Sequence, residues 1–319
     1  MSSPTLTTLL VSYNTQALLP RCLDDLDAAL ASVGPARTVI VDNASADDSV
    51  ALLQSRYPQV ELIRSPTNVG FGRANNLALP RVDSPYVLLL NTDAFVPADA
   101  LSKTLAYMEA HPRCGVLGAR LIGRDGVLQP SCRYFPTPFN SFVARAGLAR
   151  WLPGVRLIDD MDWAHDAVRS CDWVPGCFYL IRREVIEQVG LFDPRFFLYF
   201  EEVDHCFAAK RAGWDVVYHP DVSVIHLGGE SAKSEGPITS GAQQLEALQI
   251  ESALLYFRKN HGLGGMLGFV ALDMMADWIV LLRALVKRQG RPTFGDTLRR
   301  IGKTCGLLSR TGWGTRSTR

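Results

Sequence analysis

The segment Tyr86-Val87-Leu88-Leu89-Leu90-Asn91-Thr92-Asp93 leads from a run of apolar residues directly to a carboxylate. An unbroken apolar run of this length is typical of a strand that is buried on both faces, as in a parallel sheet covered by helices. Open α/β sheets bind their ligands just beyond the carboxyl ends of such strands. We therefore expect Asp93 to lie where the sheet meets a metal ion or a phosphate group.

The residues around this segment alternate between strand and helix patterns at short spacing. Strands are predicted at 6–12, 38–41, 60–64 and 87–90, and helices at 16–32, 46–56, 72–79 and 97–111. Ser45 is the predicted N-cap of the second helix, with Asp47 and Asp48 in its first turn. The alternation predicts the α/β class, with a doubly wound and mostly parallel sheet.

The residues after 111 follow a less regular pattern. The predicted elements are a hairpin of 115–122 with 127–133, a loop of undefined structure at 140–170, a strand at 173–181, a helix at 183–189, a helix starting near 201–204, and strands at 215–219 and 222–226.

The chain has 319 residues, of which 47% are hydrophobic, enough for one substantial core and an appended subdomain. Its formal net charge of +1 gives no indication of a nucleic-acid partner. From Arg283 onward, however, ten basic residues stand against the single acid Asp296, so this end is strongly basic. Seven cysteines without a Cys-x-x-Cys pair argue against zinc or disulfides and favour a reducing cytoplasm. The first residues show no signal-peptide pattern.

The stretch 262–286 is apolar and long enough to cross a bilayer. Asp273, Asp277 and Arg283 interrupt it at helical spacing, and each is costly in hydrocarbon. The preferred interpretation is an amphipathic helix, with its apolar part at 263–286, that lies on a membrane surface before a basic flank. An ordinary helix packed on the core or on a second copy of the chain is an equally acceptable interpretation.

Polar residues at the ends of predicted elements are candidates for chemistry. Asp42 follows the second strand, where a carboxylate accepts hydrogen bonds from a base or a ribose, although turns also favour aspartate. The loop 68–76 contains small residues and enters a helix, which suits a phosphate-bearing ligand. Asn91 and Asp93 lie two residues apart and so face the same side of an extended segment, where their oxygens suit Mg²⁺ or Mn²⁺.

An acidic cluster at Glu201, Glu202 and Asp204 follows several aromatic residues. Charge runs usually form a solvated surface, but apolar flanks favour partial burial, which raises the pKa of a carboxyl group. A general base needs such an environment. His226 ends the last predicted strand, and a lone histidine is more often structural than catalytic.

Eight short motifs follow one another along the chain. They are Val11-Ser12-Tyr13-Asn14, Val41-Asp42-Asn43-Ala44-Ser45, Asn68-Val69-Gly70-Phe71-Gly72-Arg73-Ala74-Asn75, Leu90-Asn91-Thr92-Asp93, Val174-Pro175-Gly176-Cys177, Phe192-Asp193, Phe200-Glu201-Glu202-Val203-Asp204 and His226-Leu227-Gly228-Gly229-Glu230-Ser231. In this order they resemble the family 2 inverting glycosyltransferases of the GT-A fold, most closely the rhamnosyltransferase-like bacterial branch. The resemblance extends from about residue 6 to residue 231.

The resemblance implies a role for each matching position. The nucleotide-sugar ligands would be Ser12, Asn14, Asp42, Asn43, Asn68, Gly70, Gly72, Arg73, Asn75 and Asn91. Asp93 would hold Mg²⁺ or Mn²⁺, and His226 would be a further ligand of the metal or of the diphosphate. The catalytic base would be one of Glu201, Glu202 and Asp204, and Trp173 and Gly176 would lie on the acceptor side. Two positions depart from the family pattern: Asn91 replaces the first aspartate of the Asp-x-Asp motif, and Glu202 replaces the aspartate of the usual Glu-Asp pair.

The same resemblance implies a GT-A domain at 1–235, with a nucleotide-sugar half at 1–95 and an acceptor half at 96–235, and a helical, basic extension at 236–319. The expected activity is metal-dependent, inverting transfer of a sugar such as rhamnose from a dTDP- or UDP-sugar to a lipid-linked or cell-envelope glycan. The expected location is the cytoplasm, at the inner face of the membrane, in cell-wall or polysaccharide biosynthesis. Alternatives are a soluble glycan or protein acceptor, a homo-oligomer, and a non-catalytic sugar-nucleotide-binding protein.

Overall fold

The computed structural model describes residues 4–228, 242–286 and 291–319. The first part of the chain alternates strands and helices, as the sequence predicts. Its elements are β1 (Leu6–Ser12), α1 (Leu19–Leu30), β2 (Ala36–Asp42), α2 (Ser49–Arg56), β3 (Glu61–Arg64), α3 (Phe71–Ala78) and β4 (Tyr86–Asn91). The four strands are parallel and lie in the order β3-β2-β1-β4. The predicted α/β class is confirmed.

The second helix begins later than predicted. α2 starts at Ser49, and no acidic residue lies in its first turn. The Ser45 hydroxyl does not cap it but accepts a hydrogen bond from the backbone N–H of Asn14 at 3.0 Å. Asp47 accepts from the backbone N–H of Ser49 at 3.1 Å. The residues before α2 therefore form a tight loop, because these side chains bind backbone groups outside a helix.

The following residues extend the same sheet. They form β5 (Ala94–Phe95), α4 (Ala100–Ala110), β6 (Cys114–Ile122), β7 (Leu128–Gln129), α5 (Pro138–Arg145), β8 (Arg169–Cys171), β9 (Phe178–Arg182), α6 (Arg183–Val189), α7 (Glu201–Arg211) and β10 (Asp215–His226). The antiparallel strand β9 lies between β4 and β6, β10 runs parallel to β6, and β5 and β8 pair antiparallel with β10. The sheet is therefore mixed, with a parallel part at β3-β2-β1-β4.

Three predictions for this region were wrong in detail. The expected loop 140–170 contains most of α5, whose N-cap Thr137 forms a capping box with Asn140. β9 begins at Phe178, since Trp173 makes only an isolated bridge to Arg133. The two strands expected at 215–226 form one strand, β10, whose register shifts between His219 and Ser223. The predicted β6–β7 hairpin is confirmed.

The chain divides into two compact units. The first comprises Met1–Arg133, Met161–Pro194 and Glu201–Ser240, and it contains the sheet. Its core includes Leu10, Ile40, Leu88 and Leu180, which are all fully or almost fully buried. The second comprises Tyr134–Asp160, Arg195–Phe200 and Gly241–Arg319. The predicted domain boundary between 235 and 236 lies outside the described residues.

The second unit consists mainly of the long helix α8 (Ala242–Val286), which is kinked at Gly262, and helix α9 (Arg291–Arg310). Gly262 has a φ of 70°, which only glycine adopts without strain. α8 packs against α5 and α9. No helix within residues 4–228, 242–286 and 291–319 has both the length and the apolarity that a membrane span requires.

After its kink, α8 buries charged side chains and exposes apolar ones, the reverse of what is usual for a helix on a protein surface. Asp273 and Asp277 lie on its buried side, where Arg300 donates to both oxygens of Asp273 at 2.8 Å and Arg145 donates to Asp277 at 3.0 Å. Burial raises the pKa of Asp277, and the arginines oppose this effect. The opposite side exposes apolar residues: Leu263, Leu267, Met275, Trp278, Leu282, Leu285 and Val286. We call these seven residues the apolar face of α8.

Candidate active site

The ends of three parallel strands bring the predicted ligands to one edge of the sheet. The register pairs Ser12 with Asp42, and Val11 with Asn91. The strand order reverses between β1 and β4, since β2 and β3 lie on one side of β1 and β4 on the other. Such a reversal opens a crevice at the carboxyl ends of the strands, which is the usual ligand position in α/β sheets.

The loops after β1 and β2 are joined by hydrogen bonds through Asn14. Its side-chain oxygen accepts from the backbone N–H of Ala46 at 2.7 Å, and its φ of 52° is left-handed. Ser12 bonds to Thr15 at 3.0 Å. Asp42 is 3% exposed, and its Oδ2 accepts from the backbone N–H of Ser45 at 3.2 Å. Its Oδ1 is buried and has no hydrogen-bond partner among the described residues, so a ligand donor that reached this atom would satisfy it.

The glycine loop before α3 is fixed by two asparagines. Asn43 donates to Asn68 at 3.0 Å and accepts from the backbone N–H of Val69 at 2.9 Å, while Asn68 also accepts from the backbone N–H of Gly70 at 3.0 Å. Gly70 has a φ of 88°, which favours glycine. The first turn of α3, which includes Gly72, has no side-chain cap. Its N–H groups are therefore suited to an anion.

Two other predicted ligands of this loop make contacts within the protein. Arg73 donates to the carbonyl of Pro194 at 2.6 Å. Asn75 is 1% exposed and donates to the carbonyl of Phe71 at 3.0 Å inside α3. These contacts give both side chains a structural role.

Asp93 and His226 lie side by side after β4 and at the end of β10. The Nε2 atom of His226 is 3.6 Å from Oδ1 of Asp93, and the backbone N–H of Leu227 donates to the carbonyl of Asp93 at 3.0 Å. Burial lowers the pKa of His226 and so favours the neutral ring, while the Asp93 carboxylate acts in the opposite direction and only partly offsets this effect. The ring Nδ1 lies 2.9 Å from Oε1 of Gln129.

This pair fits a divalent cation incompletely. A carboxylate oxygen and an imidazole nitrogen are both ligands of Mn²⁺-type ions, and a cation between them would neutralise the buried carboxylate. No group of three such side chains occurs among the described residues. Further ligands would have to come from water or from the oxygens of a bound substrate.

The acidic cluster occupies the first turn of α7. Glu201 is 2% exposed and its Oε2 has no hydrogen-bond partner among the described residues. Burial, and then the neighbouring Glu202 carboxylate, raise the pKa of Glu201 well above its usual value. Burial also raises the pKa of Glu202. Its own backbone N–H, the Arg133 guanidinium and the backbone N–H of Gly176 each lower this pKa and so partly offset the effect of burial. Asp204 is buried in the same turn.

The backbone before this helix is unusual. Tyr199 and Phe200 have left-handed φ values of 73° and 70°. Such conformations are energetically costly for aromatic residues and often occur at functional sites.

Cys177 connects the acidic cluster with the residues after β4. Burial, then the Asp93 carboxylate and more weakly the Glu202 carboxylate raise the pKa of its thiol. Its carbonyl accepts a hydrogen bond from the backbone N–H of Asn91 at 3.1 Å. The charges of Asp93 and Glu202 thus both act on the thiol of Cys177.

Of the two predicted acceptor-side residues, Gly176 contacts the acidic cluster and Trp173 contacts Arg133. Gly176 reaches Glu202 through its backbone N–H. Trp173 is 5% exposed, and the Arg133 guanidinium stacks on its ring at 4.0 Å. A Cβ atom on Gly176 would lie 3.4 Å from the ring of Phe71, in ordinary contact.

Sequence reasoning missed Gln129, Arg133 and Cys177. Each is remote in sequence from the residue that it contacts, and Gln129 and Arg133 belong to none of the eight motifs. Only the match of Gly176 and Cys177 to one motif pointed to this region.

Comparisons with known proteins agree with this geometry. The sequence model of the family described as Glycosyl transferase family 2 matches residues 7–190. An N-acetylglucosaminyl-diphospho-decaprenol L-rhamnosyltransferase of Mycobacterium tuberculosis is 29% identical over 238 residues, which cover 68% of this chain and 74% of the relative. Rhamnosyltransferase WbbL of Escherichia coli K12 is 25% identical over 238 residues, which cover 71% and 84%.

A solved structure shares the fold. Mannosyltransferase PcManGT from Pyrobaculum calidifontis, in complex with GDP-Man and Mn²⁺, superposes with a TM-score of 0.58 over 98% of this chain and 88% of that chain. The sequences are 16% identical, so this similarity shows the fold alone.

Proposed function

Because this chain belongs to glycosyl transferase family 2, we propose that it transfers a sugar such as rhamnose from a dTDP- or UDP-sugar to a lipid-linked glycan, with inversion. The predicted family and enzyme class are confirmed: the chain is a glycosyltransferase that resembles rhamnosyltransferases. The observation that carries the finer proposal is the pairing of Asp93 with His226 just after β4, together with a Glu202 carboxylate that acts, like Asp93, on the thiol of Cys177.

The nucleotide of the donor occupies the crevice between β1 and β4 in this proposal. The unpaired Oδ1 of Asp42 accepts a hydrogen bond from the base or the ribose. The Asn43–Asn68 pair holds the glycine loop so that the backbone N–H groups of α3 face the diphosphate.

The Asp93–His226 pair holds Mg²⁺ or Mn²⁺ in the proposal, with the donor diphosphate completing the ligand set. A cation there supplies positive charge next to the leaving diphosphate. Asn91 adds no charge, so this pair contributes one carboxylate and one imidazole from the part of the chain that the structure describes. This favours a cation that binds together with the donor.

Glu202 is the proposed base. Two adjacent buried carboxyl groups do not both ionise readily, and Arg133 and Gly176 favour the ionised form of Glu202. The proton of the pair therefore resides on Glu201. Glu202 takes the proton of the acceptor hydroxyl while the hydroxyl oxygen forms a bond to the anomeric carbon of the donor sugar. The bond from that carbon to the nucleoside diphosphate breaks on the opposite face. A single displacement of this kind inverts the anomeric centre.

A membrane surface is the proposed location of the acceptor. The apolar face of α8 exposes large side chains, with Trp278 59%, Leu285 63% and Val286 84% exposed. The carboxylates of this helix point inward, so that no acidic side chain of α8 after its kink interrupts this face. The relative in Mycobacterium tuberculosis is named for a decaprenol-linked acceptor, which agrees with such a location.

The basic end of the chain contributes less free charge than its composition suggests. Arg300 and Lys303 pair with Asp273 and Glu246, and Arg299 pairs with Asp296. Lys287 and Arg288 lie outside the described residues. Apolar burial, rather than charge, is therefore the main contribution to membrane binding in this proposal.

The test of the function uses the full chain with a panel of dTDP-, UDP- and GDP-sugars, a lipid-diphospho-N-acetylglucosamine acceptor and soluble saccharides. We expect transfer to the lipid-linked acceptor that depends on Mg²⁺ or Mn²⁺ and is lost in Asp93→Ala. Asp99→Ala, at an exposed position beside a lysine, is the matched control. Transfer only to soluble saccharides would favour the alternative acceptor. Donor binding without transfer or hydrolysis would favour a binding protein.

The test of the membrane location compares sedimentation with neutral and anionic vesicles. The double variant Trp278→Ser, Leu282→Ser should lose vesicle binding, whereas Val168→Ser, at another exposed apolar position, should retain it. A wild-type protein that binds no vesicles but dimerises through this face in light scattering would refute the membrane surface.

A further inference from the structure

We propose that Gln129 is a positioning residue that holds His226 in the tautomer whose Nε2 carries no hydrogen and faces Asp93. The use of this tautomer rests on the proposed metal role of the Asp93–His226 pair. The positioning itself is a property of the protein alone and is tested separately below.

Two hydrogen bonds between the same two residues fix the orientation of the Gln129 amide. Its Nε2 donates to the backbone carbonyl of His226 at 3.0 Å, and its Oε1 lies 2.9 Å from the ring Nδ1. Rotating the amide by half a turn would place oxygen against the carbonyl oxygen, so Oε1 must be the atom at Nδ1. An amide oxygen only accepts hydrogen bonds, and Nδ1 must therefore donate.

The consequence appears at the other ring nitrogen. A neutral imidazole with its hydrogen on Nδ1 has a lone pair on Nε2, and this atom lies 3.6 Å from Oδ1 of Asp93. In the other tautomer, Nε2–H would point toward the carboxylate and no lone pair would be available there. Gln129 thus determines whether the pair presents two electron-donating atoms or one.

The hairpin before Gln129 determines where its side chain can reach. Gln129 lies on β7, which pairs with β6, and β6 in turn pairs with β10, which ends at His226. The amide therefore extends past the end of β6, at Gly123. A Cβ atom on Gly123 would lie 3.2 Å from the Gln129 nitrogen and 2.7 Å from Oδ1 of Asp125. The absence of a side chain at Gly123 leaves this path open.

Histidines that bind metals commonly donate their second ring N–H to a fixed acceptor, and loss of that acceptor typically lowers metal affinity by about 10–100-fold. Gln129 is such an acceptor for His226. It also holds the backbone carbonyl of His226, so its loss would release both the ring and its main chain.

The experiment measures the tautomer and the metal affinity of the same variants. Gln129→Leu removes both hydrogen bonds at similar size, Gln129→Glu keeps an acceptor for Nδ1–H, and Gln54→Leu on the exposed side of α2 is the matched control. Nitrogen-15 NMR of the metal-free protein locates the ring hydrogen, with the His226 signals identified by their loss in His226→Gln. Electron paramagnetic resonance then measures Mn²⁺ binding.

We expect the hydrogen on Nδ1 in the wild type, Gln129→Glu and Gln54→Leu, and on Nε2 or shared between both nitrogens in Gln129→Leu. The Kd for Mn²⁺ should rise by about 10–100-fold in Gln129→Leu and recover at least partly in Gln129→Glu. Gln129→Ala, which removes the same two hydrogen bonds, takes the place of Gln129→Leu if that variant fails to fold. An unchanged tautomer in Gln129→Leu, or in Gln129→Ala, would overturn the proposal. A shifted tautomer in a protein that binds no Mn²⁺ would support the positioning by Gln129 and refute the metal role instead.

Discussion

Glu201 and Glu202 of α7 allow a sharp test of which carboxylate is the base, because only Glu202 has an arginine and a backbone N–H from other segments that favour its ionised form. Glu202→Gln removes a carboxylate whose ionised form Arg133 and Gly176 favour against the effect of burial. A positioned general base contributes about 10²–10⁴-fold to a rate, so we expect kcat to fall by that factor, equivalent to about 3–5 kcal/mol in the activation barrier. The affinity for the nucleotide should remain unchanged, since Asp42 and the glycine loop are intact.

Glu201→Gln is the matched control at the neighbouring position. Glu201 is 2% exposed, and it has a raised pKa and a buried oxygen with no hydrogen-bond partner among the described residues, so we expect it to carry a proton when the enzyme acts. Glutamine has nearly the shape of a protonated glutamate. We therefore expect kcat to fall by less than about tenfold, which corresponds to less than about 1.4 kcal/mol.

The pH dependence of both variants gives an independent check. Since burial raises the pKa of Glu202, wild-type activity should decline with falling pH at a higher pH than an ordinary glutamate would produce. Glu201→Gln should leave this acidic limb of the pH–activity profile in place, because it replaces a neutral group.

The stability of the fold depends on pH through Glu201. Its raised pKa stabilises the folded state at pH values below the pKa in the unfolded chain, near 4.5, and this stabilisation is lost as the pH rises through the pKa in the folded protein. The melting temperature of Glu201→Gln relative to the wild type should thus increase with pH.

The assays are steady-state transfer at saturating donor, calorimetric binding of the nucleoside diphosphate, and thermal unfolding from pH 5 to pH 9. A larger loss of kcat in Glu201→Gln than in Glu202→Gln would refute the assignment of the base. A shift of the acidic limb to lower pH in Glu201→Gln would show that Glu201 is ionised in the wild type, and the argument from burial would then fail.

Two further predictions concern the nucleotide crevice and the second unit. Asp42→Asn removes the negative charge at the end of β2 and should weaken binding of UDP or dTDP by roughly tenfold or more, since a hydrogen bond to a charged group contributes about 1.5–3 kcal/mol; unchanged calorimetric affinities would contradict the role of this carboxylate. Arg300→Met removes one of the two arginines that Asp273 and Asp277 share, while Arg145 stays beside both carboxylates. The free energy of unfolding in urea titrations should therefore fall by about 1–3 kcal/mol, whereas Arg310→Met, at an exposed position on the same helix, should change it little.

The sequence predicted the first part of the fold well because its signals are local. The apolar run before Asn91 and the strand before Asp42 needed no knowledge of distant residues to be recognised, and both strands occur as expected. The start of α2 was wrong because Ser45 and Asp47 bind backbone groups in a loop that an N-cap pattern resembles. The strand expected from 173 was wrong because Trp173 stacks on Arg133 instead of joining the sheet.

The sequence by itself determined the α/β alternation, the carboxylates at strand ends and the ordered motifs of a glycosyltransferase. These properties depend on periodicity and spacing within short segments. Only the tertiary structure decided which side chains meet. Gln129 reaches His226 across 97 residues, and Arg145 reaches Asp277 across 132, so that carboxylates expected on a helix surface lie inside. Burial raises the pKa of both Glu201 and Glu202, but only Glu202 has groups from other segments, the Arg133 guanidinium and the backbone N–H of Gly176, that lower its pKa.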